Sequence, residues 1–212
     1  MDADTQVEIK LVTIMGRVWQ GLRWALLGVL ILFLGIVAYR VPVMIQKQKT
    51  ATAVAFIQSQ KLDWATAMGK NLPDAPDEAL NNTTLVGTDA NRNGIRDDIE
   101  RAISKRRPDS APIRSAQLQY ALELQQELTQ VFNTETWVAE AKYESHAIGC
   151  LVDTAFASGQ LSAASEWQKE VEDLVFNTDA RRQKRQQIEV YESAFVDGTN
   201  ETCDIEPASL KK

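Results

Sequence analysis

The sequence predicts an all-α protein that begins with one transmembrane helix and continues into a small helical bundle. Three observations support this fold class: an uncharged apolar segment over residues 24–39, apolar residues that recur every three or four positions beyond Ile113, and no convincing alternation of the kind that marks strands. A chain of 212 residues accommodates one ordinary domain and an appendage, so we expect a single core.

The composition excludes some classes of protein. Apolar residues make up 44% and charged residues 25% of the chain, which is close to globular averages and argues against a wholly disordered protein. The formal net charge of -6 argues against a dedicated nucleic-acid binder, because such a protein needs a basic face to neutralise phosphates.

The apolar segment WALLGVLILFLGIVAY lies between Arg23 and Arg40 and has an aromatic residue just inside each end. As a helix it would be about 24 Å long, a little short of a hydrocarbon core of about 30 Å. Apolar flanking residues and snorkelling arginines make up the difference. We therefore predict a transmembrane anchor over residues 23–45, with residues 1–22 as a cytoplasmic or interfacial segment.

The alternative to an anchor is a cleaved signal peptide. The nearest small-x-small site, Ala51-Thr52-Ala53, lies too far beyond the apolar segment for ordinary cleavage. Lysine and arginine content is equal on the two flanks, so charge does not decide the orientation. Gly21, Gly28 and Gly35 form a smooth stripe through which the protein could assemble as a homo-oligomer, although glycine is also common in single spans.

Residues 46–82 are expected to form a stalk and linker, with a helical stretch over residues 50–67 followed by a turn-rich segment. The next segment, residues 83–106, is expected to form a calcium loop, DANRNGIRDDIE at residues 89–100, and a short helix from Asp97 to about Arg106. Calcium takes about six to eight oxygen ligands, and a twelve-residue loop supplies them from positions 1, 3, 5, 7, 9 and 12 around a glycine at position 6. Those positions hold Asp89, Asn91, Asn93, the Ile95 carbonyl, Asp97 and Glu100 around Gly94.

This loop satisfies the EF-hand pattern at its specified positions, but a clear entering helix is missing and the apolar residue stands at position 7. Its spacing resembles the calcium loops of thrombospondin type 3 and dockerin-like repeats. The run TLVGTDANRNGIRDDIERAI also looks like a segment of uncharacterised bacterial membrane-anchored envelope proteins. The resemblance covers the loop alone and implies binding of Ca2+, without implying adhesion or an activity.

The alternative is an asparagine-rich turn that caps a short helix over residues 97–106. Such a cap explains Asp97 and Asp98, but it leaves the alternation of acidic and amide residues before Gly94 unexplained. Two amide ligands and two nearby arginines weaken the local field, so we expect a dissociation constant of about 0.1 to 1 mM. Resting cytosolic calcium would leave such a loop mostly empty, which favours an extracytoplasmic location.

Residues 107–212 are expected to form the bundle and a C-terminal tail. Its helices are predicted from four apolar sets, which run from Ile113 to Val131, from Trp137 to Phe156, from Ala164 to Leu174, and from Ile188 to Phe195 with a stop at Gly198. Short connections favour antiparallel neighbours. The basic run RRQKR at residues 181–185 is expected to be a solvated helix face.

Cys150 and Cys203 are the only cysteines, and in an oxidising compartment we expect them to form a disulfide that ties the tail to the bundle. Two free buried thiols are the alternative in the cytosol. His146 stands four residues before Cys150, which raises the possibility of a Cys-His nucleophile or a zinc site. The sequence offers no clear set of further zinc ligands, and a disulfide would leave no thiol to act as a nucleophile.

Together these features predict an all-α chain with an N-terminal single transmembrane helix followed by a small helical bundle with one calcium-loop insertion. We expect a non-enzymatic interaction or scaffold protein in a bacterial inner membrane, with its C-terminal domain in the periplasm, that holds protein partners and contains structural Ca2+. A calcium-responsive regulator and a cysteine-dependent enzyme using Cys150 and His146 are the two alternatives.

Overall fold

A computed structural model of the chain describes residues 3–70, 72–196 and 202–210, with side chains described from residue 15 onwards. Its described residues contain eight α-helices, three 3₁₀ turns and no strand, which confirms the all-α class. The helices are α1 (Ala3–Ser59), α2 (Trp64–Ala67), α3 (Glu78–Asn81), α4 (Asp97–Arg106), α5 (Ala111–Gln130), α6 (Thr134–Ala157), α7 (Ala164–Val175) and α8 (Asp179–Ile188). The 3₁₀ turns are Leu161–Ala163, Glu189–Tyr191 and Pro207–Leu210.

The chain divides into two compact units, Met1–Lys49 and Thr50–Lys212. The first unit consists of helix α1 up to the boundary, and the part of α1 from Met15 onwards is long and apolar enough to span a membrane. Pro42 lies inside α1 and does not end it, because a proline removes only one of the many hydrogen bonds of a long helix. The described part of the chain therefore has one candidate membrane span, near its N-terminus.

The surface of α1 at the glycine stripe, Gly21, Gly28 and Gly35, is not packed against any other described part of the chain. A Cβ atom added at Gly21, Gly28 or Gly35 would meet no neighbouring atom within 4 Å. Packing of a second copy against this stripe stays a prediction.

The second unit is built around helix α5. Every residue from Ile113 to Leu128 is buried, so this helix is enclosed on all sides rather than on the single apolar stripe that its periodicity indicates. Its apolar residues pack with α4, α6 and α7 in one core. The enclosure also buries polar side chains of α5, among them Glu123 and Glu127, which therefore have to find partners inside the protein.

The observed helices α4, α5, α6 and α7 follow the periodicity of the sequence closely, and two predictions need correction. Val152 and Phe156 were expected on the buried face of α6, but they are exposed because the buried residues at that end of the helix are Leu151, Thr154 and Ala155. The helical stretch expected over residues 50–67 is divided, because α1 ends at Ser59 and α2 begins at Trp64. Asp63 caps α2, since its carboxylate accepts hydrogen bonds from the backbone of the first turn.

The last helix begins earlier than its apolar residues indicate. Thr178 caps α8, since its hydroxyl accepts a hydrogen bond from the Arg181 N–H at 3.3 Å, and the helix then tightens into the 3₁₀ turn Glu189–Tyr191. Residues 192–196 are not helical. The predicted stop at Gly198 lies outside the described residues.

The structure joins Cys150 of α6 and Cys203 of the tail in a disulfide, as the sequence predicted for an oxidising compartment. Hydrogen bonds between the tail and α5 support it: the Gln119 amide donates to the Thr202 carbonyl at 2.9 Å and accepts from the Asp204 N–H at 2.9 Å. Leu210, near the end of the described chain, is buried in the core. The tail is therefore part of the folded domain.

Candidate functional site

The loop over residues 89–100 turns sharply and leads directly into α4, whose first residue is Asp97. Two residues of the turn have left-handed backbone, Arg92 with φ of 59° and Gly94 with φ of 89°. A Cβ atom added at Gly94 would also lie 2.7 Å from Leu122 Cδ1 of α5. Both the backbone conformation and the close packing therefore require glycine at this position.

Alternating side chains order the backbone of this loop. The Asp89 carboxylate accepts hydrogen bonds from the N–H groups of Asn93 at 3.2 Å and Gly94 at 2.9 Å. The Asn93 side-chain oxygen accepts from the Ile95 N–H at 2.9 Å, and the Asn91 oxygen accepts from the Asn93 N–H at 3.3 Å. The alternation of Asp89, Asn91 and Asn93 in the sequence therefore has a structural role of its own.

Glu100 is the buried centre of the loop. Both of its carboxylate oxygens accept hydrogen bonds from neutral amides, Nδ2 of Asn91 at 3.1 Å and Nδ2 of Asn93 at 2.7 Å. Burial raises the pKa of Glu100 to about 7, the two amides oppose that rise, and the negative charges of Asp97 and Asp89 add to it. These three carboxylates are therefore close enough to repel one another.

Asp97 closes the loop from the helix side. Its carboxylate accepts a hydrogen bond from the Ala90 N–H at 3.0 Å. Burial raises its pKa, and the charges of Asp89 and Asp98 act in the same direction. The six predicted ligand residues thus share one ordered loop. Nevertheless, the described part of the chain contains no group of three or more His, Cys, Asp or Glu side chains arranged to hold a metal ion.

A fully buried arginine, Arg96, fastens the loop to the bundle. Its guanidinium donates to the carbonyls of Leu174 at 2.9 Å and Val175 at 3.1 Å, which are the last two residues of α7. It also forms a bidentate ion pair with Asp98, with Nε 2.9 Å from Oδ1 and Nη2 3.0 Å from Oδ2. Although burial opposes ionisation of Asp98, the bonds and charge of Arg96 lower its pKa overall.

A second fully buried arginine, Arg181, holds the segment that precedes the loop. Its guanidinium donates to the carbonyls of Asn81 at 2.7 Å, Thr84 at 2.9 Å and Leu85 at 3.3 Å. Burial lowers its pKa to about 10, and the nearby Arg96 charge acts in the same direction. The run at residues 181–185 was expected to be a solvated face, and for Arg181 that expectation is wrong.

Cys150 and His146 lie on one face of α6, but Cys150 is held in the disulfide and has no free thiol in this structure. The His146 ring lies edge-on to Tyr143, with 5.8 Å between ring centroids. The structure therefore does not present the free thiolate that a cysteine nucleophile requires.

Buried and half-buried glutamates form a second notable cluster, which the sequence reasoning missed. Glu127 of α5, Glu140 and Glu144 of α6 and Glu172 of α7 line one pocket of about 590 Å³, and the charge of Glu123 of α5 also acts on Glu140. Burial raises the pKa of Glu127 to about 7, and it raises those of Glu123 and Glu140 well above their usual range. The available signal was a pair of glutamates four residues apart on each of α5 and α6.

No protein-family model, curated protein or solved structure matches this chain.

The glutamate cluster predicts a pH-dependent stability. A carboxyl whose pKa is higher in the folded than in the unfolded state binds a proton on folding, so stability falls as pH rises from about 4.5 through about 7. Glu127 is faced by Glu144, Glu172, Arg185 and Lys184. We expect Glu127→Gln to stabilise the protein by about 2 kcal/mol at pH 8 and to have little effect at pH 5.

Urea unfolding of the detergent-solubilised chain in phosphate buffer, followed by circular dichroism at both pH values, measures this difference. Glu135→Gln, which removes an exposed carboxylate from the same helix as Glu140, is the matched control and should have little effect at either pH. Destabilisation by Glu127→Gln at pH 8 would contradict the prediction.

Proposed function

We propose that this protein is a membrane-anchored, non-enzymatic helical domain that holds protein partners in the bacterial periplasm, and that its loop over residues 89–100 binds a structural Ca2+ ion. The observation that carries the proposal is the environment of Glu100. This carboxylate is buried, is repelled by Asp89 and Asp97, and receives its hydrogen bonds from uncharged amides. A divalent cation would offset that repulsion.

The chemistry of the loop fits calcium. The side chains of Asp89, Asn91, Asn93, Asp97 and Glu100, together with the Ile95 carbonyl, form an oxygen-only ligand set with a suitable number of members. Oxygen donors suit a hard cation, whereas zinc prefers nitrogen and sulfur. An ion held by Glu100 would take the place of the two amide N–H donors.

The position of the loop supports a structural role for the ion. The Asn93 amide donates to the Thr66 hydroxyl of α2 at 3.2 Å, Gly94 packs on Leu122 of α5, and Arg96 bonds the end of α7. Ordering the loop therefore orders its contacts with three helices. Binding to the folded state alone stabilises by about 0.4 kcal/mol when free calcium equals the dissociation constant, and by about 1.4 kcal/mol at tenfold excess.

Two features support the proposed location. Helix α1 is long and apolar enough to anchor the chain in a membrane, and the second unit contains a disulfide of the kind that persists in oxidising compartments. Millimolar calcium is also an extracytoplasmic condition, which matches the weak affinity expected of the loop.

A calcium-responsive regulator is the second candidate function. A groove of about 750 Å³ beside the loop is lined by Asp98 and Arg101 of α4, by Asn81, and by the apolar side chains of Leu72 and Leu174. Since Asp98 is bonded to the loop residue Arg96, an ion that reorders the loop would also reshape this groove.

Thermal unfolding with and without calcium tests the ion site. In the detergent-solubilised full chain, calcium at about tenfold excess over its dissociation constant should raise the melting temperature by about 3 to 6 °C relative to chelator, because the ion binds only the folded loop. Glu100→Gln should abolish the shift, whereas Glu78→Gln, which alters an exposed carboxylate on α3, should retain it. An equal shift in the Glu100→Gln variant, or none in the natural sequence, would exclude the loop as a calcium site.

A topology reporter tests the location independently. Alkaline phosphatase fused after Lys212 should be active in bacterial cells, because that enzyme needs the oxidising periplasm to form its own disulfides. A fluorescent cytoplasmic reporter at the same position should stay dark. The reverse pattern would place the second unit in the cytoplasm.

A further inference from the structure

The pocket that contains the glutamate cluster lies over α5, between α6 on one side and α7 and α8 on the other. Its volume of about 590 Å³ is large enough for a small organic molecule. It is separate from the calcium loop, since none of the predicted ion ligands lines it.

The lining of this pocket is strongly acidic. Its acidic side chains are Glu127, Glu140, Glu144, Glu172, Asp173, Glu189 and Glu192, and its basic side chains are Arg182 and Arg185. Arg182 is engaged by Asp179 and by the Phe176 carbonyl. Arg185 lies 3.7 Å from Glu172, and its charge also reaches Glu127, Glu140 and Glu144, so one guanidinium is shared among four carboxyl groups.

Two of the buried carboxyl groups have an oxygen without a partner. Oε1 of Glu140 and Oε2 of Glu127 are buried, and neither has a hydrogen-bond partner within the described part of the chain. Glu140 is only 1% exposed and Glu127 only 8% exposed, and both line the pocket. A buried acceptor left unpaired is costly, so these two oxygens indicate that the pocket takes a hydrogen-bond donor.

Aromatic side chains complete the lining. Trp137 and Phe176 both face the pocket, and the Arg185 guanidinium lies over the Phe176 ring at 4.3 Å from its centroid. The protein therefore already places one organic cation against an aromatic ring and a glutamate here. Aromatic faces attract organic cations and also pack against methylene groups.

We propose that this pocket binds a small aliphatic polyamine, with its ammonium groups donating to Glu140 and Glu127 and its methylene groups packed on Trp137 and Phe176. Ammonium groups supply hydrogen-bond donors and positive charge to a lining with seven acidic and two basic side chains. A bare metal ion fits less well, because the cavity is much larger than an ion needs.

Isothermal titration calorimetry of the detergent-solubilised full chain with spermidine tests the proposal. We expect binding at one site per chain, weakened at least about tenfold by Glu140→Gln and by Glu127→Gln, since an amide of the same shape cannot become the carboxylate that pairs with an ammonium group. Glu135→Gln, which removes an exposed charge elsewhere on α6, should bind spermidine like the natural sequence. Circular dichroism of each variant verifies its fold, and either buried variant alone suffices if the other does not fold.

Three results would overturn the proposal. One is no heat from spermidine at millimolar concentration, and another is equal binding by the natural sequence and both buried-glutamate variants. The third is heat from magnesium chloride that these variants lose while spermidine gives none, which would make the pocket a metal site.

Discussion

Two buried guanidinium groups, Arg96 and Arg181, are the constraint on which the rest of the second unit depends. Together they bond backbone carbonyls from residues 81–85 and from the end of α7, and one carboxylate, Asp98, balances them in part. Carbonyls at the C-terminal end of a helix favour a cation. The irregular segment that leads to the loop is thereby held on the bundle without secondary structure of its own.

This attachment links the two candidate sites through α7. The last carbonyls of α7 receive Arg96 from the loop, while Glu172 of the same helix and Phe176, just after it, line the acidic pocket. Arg181 and Arg185 are one helical turn apart on α8. Arg181 donates to the segment that precedes the loop, and Arg185 forms an ion pair with Glu172 in the pocket. The loop and the pocket are separate in chemistry but share the helices that position them.

Much of the fold could be predicted from sequence because α4, α5, α6 and α7 show clear helical periodicity, and side chains cap two of them, α5 and α6. The disulfide followed from the cysteine count and the expected compartment. Burial of α5 on all sides could not be predicted, because an apolar stripe identifies one buried face and says nothing about neighbours on the others. For the same reason the burial of Glu123 and Glu127 could not be predicted, and Arg181 could not be told apart from the exposed arginine beside it. The calcium motif located an ordered loop, while the side-chain bonds within it depend on packing that spacing does not encode.

The most direct test of this account is hydrogen-deuterium exchange of the loop amides of Asn93, Gly94 and Ile95 after one buried guanidinium is removed. Arg181→Met keeps most of the side-chain stem but removes the charge and the donors to the carbonyls of residues 81–85. These amides should exchange at least about tenfold faster in Arg181→Met than in the natural sequence, and the change of the neighbouring exposed residue, Arg182→Met, should leave their exchange unaltered. Unchanged protection of the loop in a folded Arg181→Met variant would contradict this account.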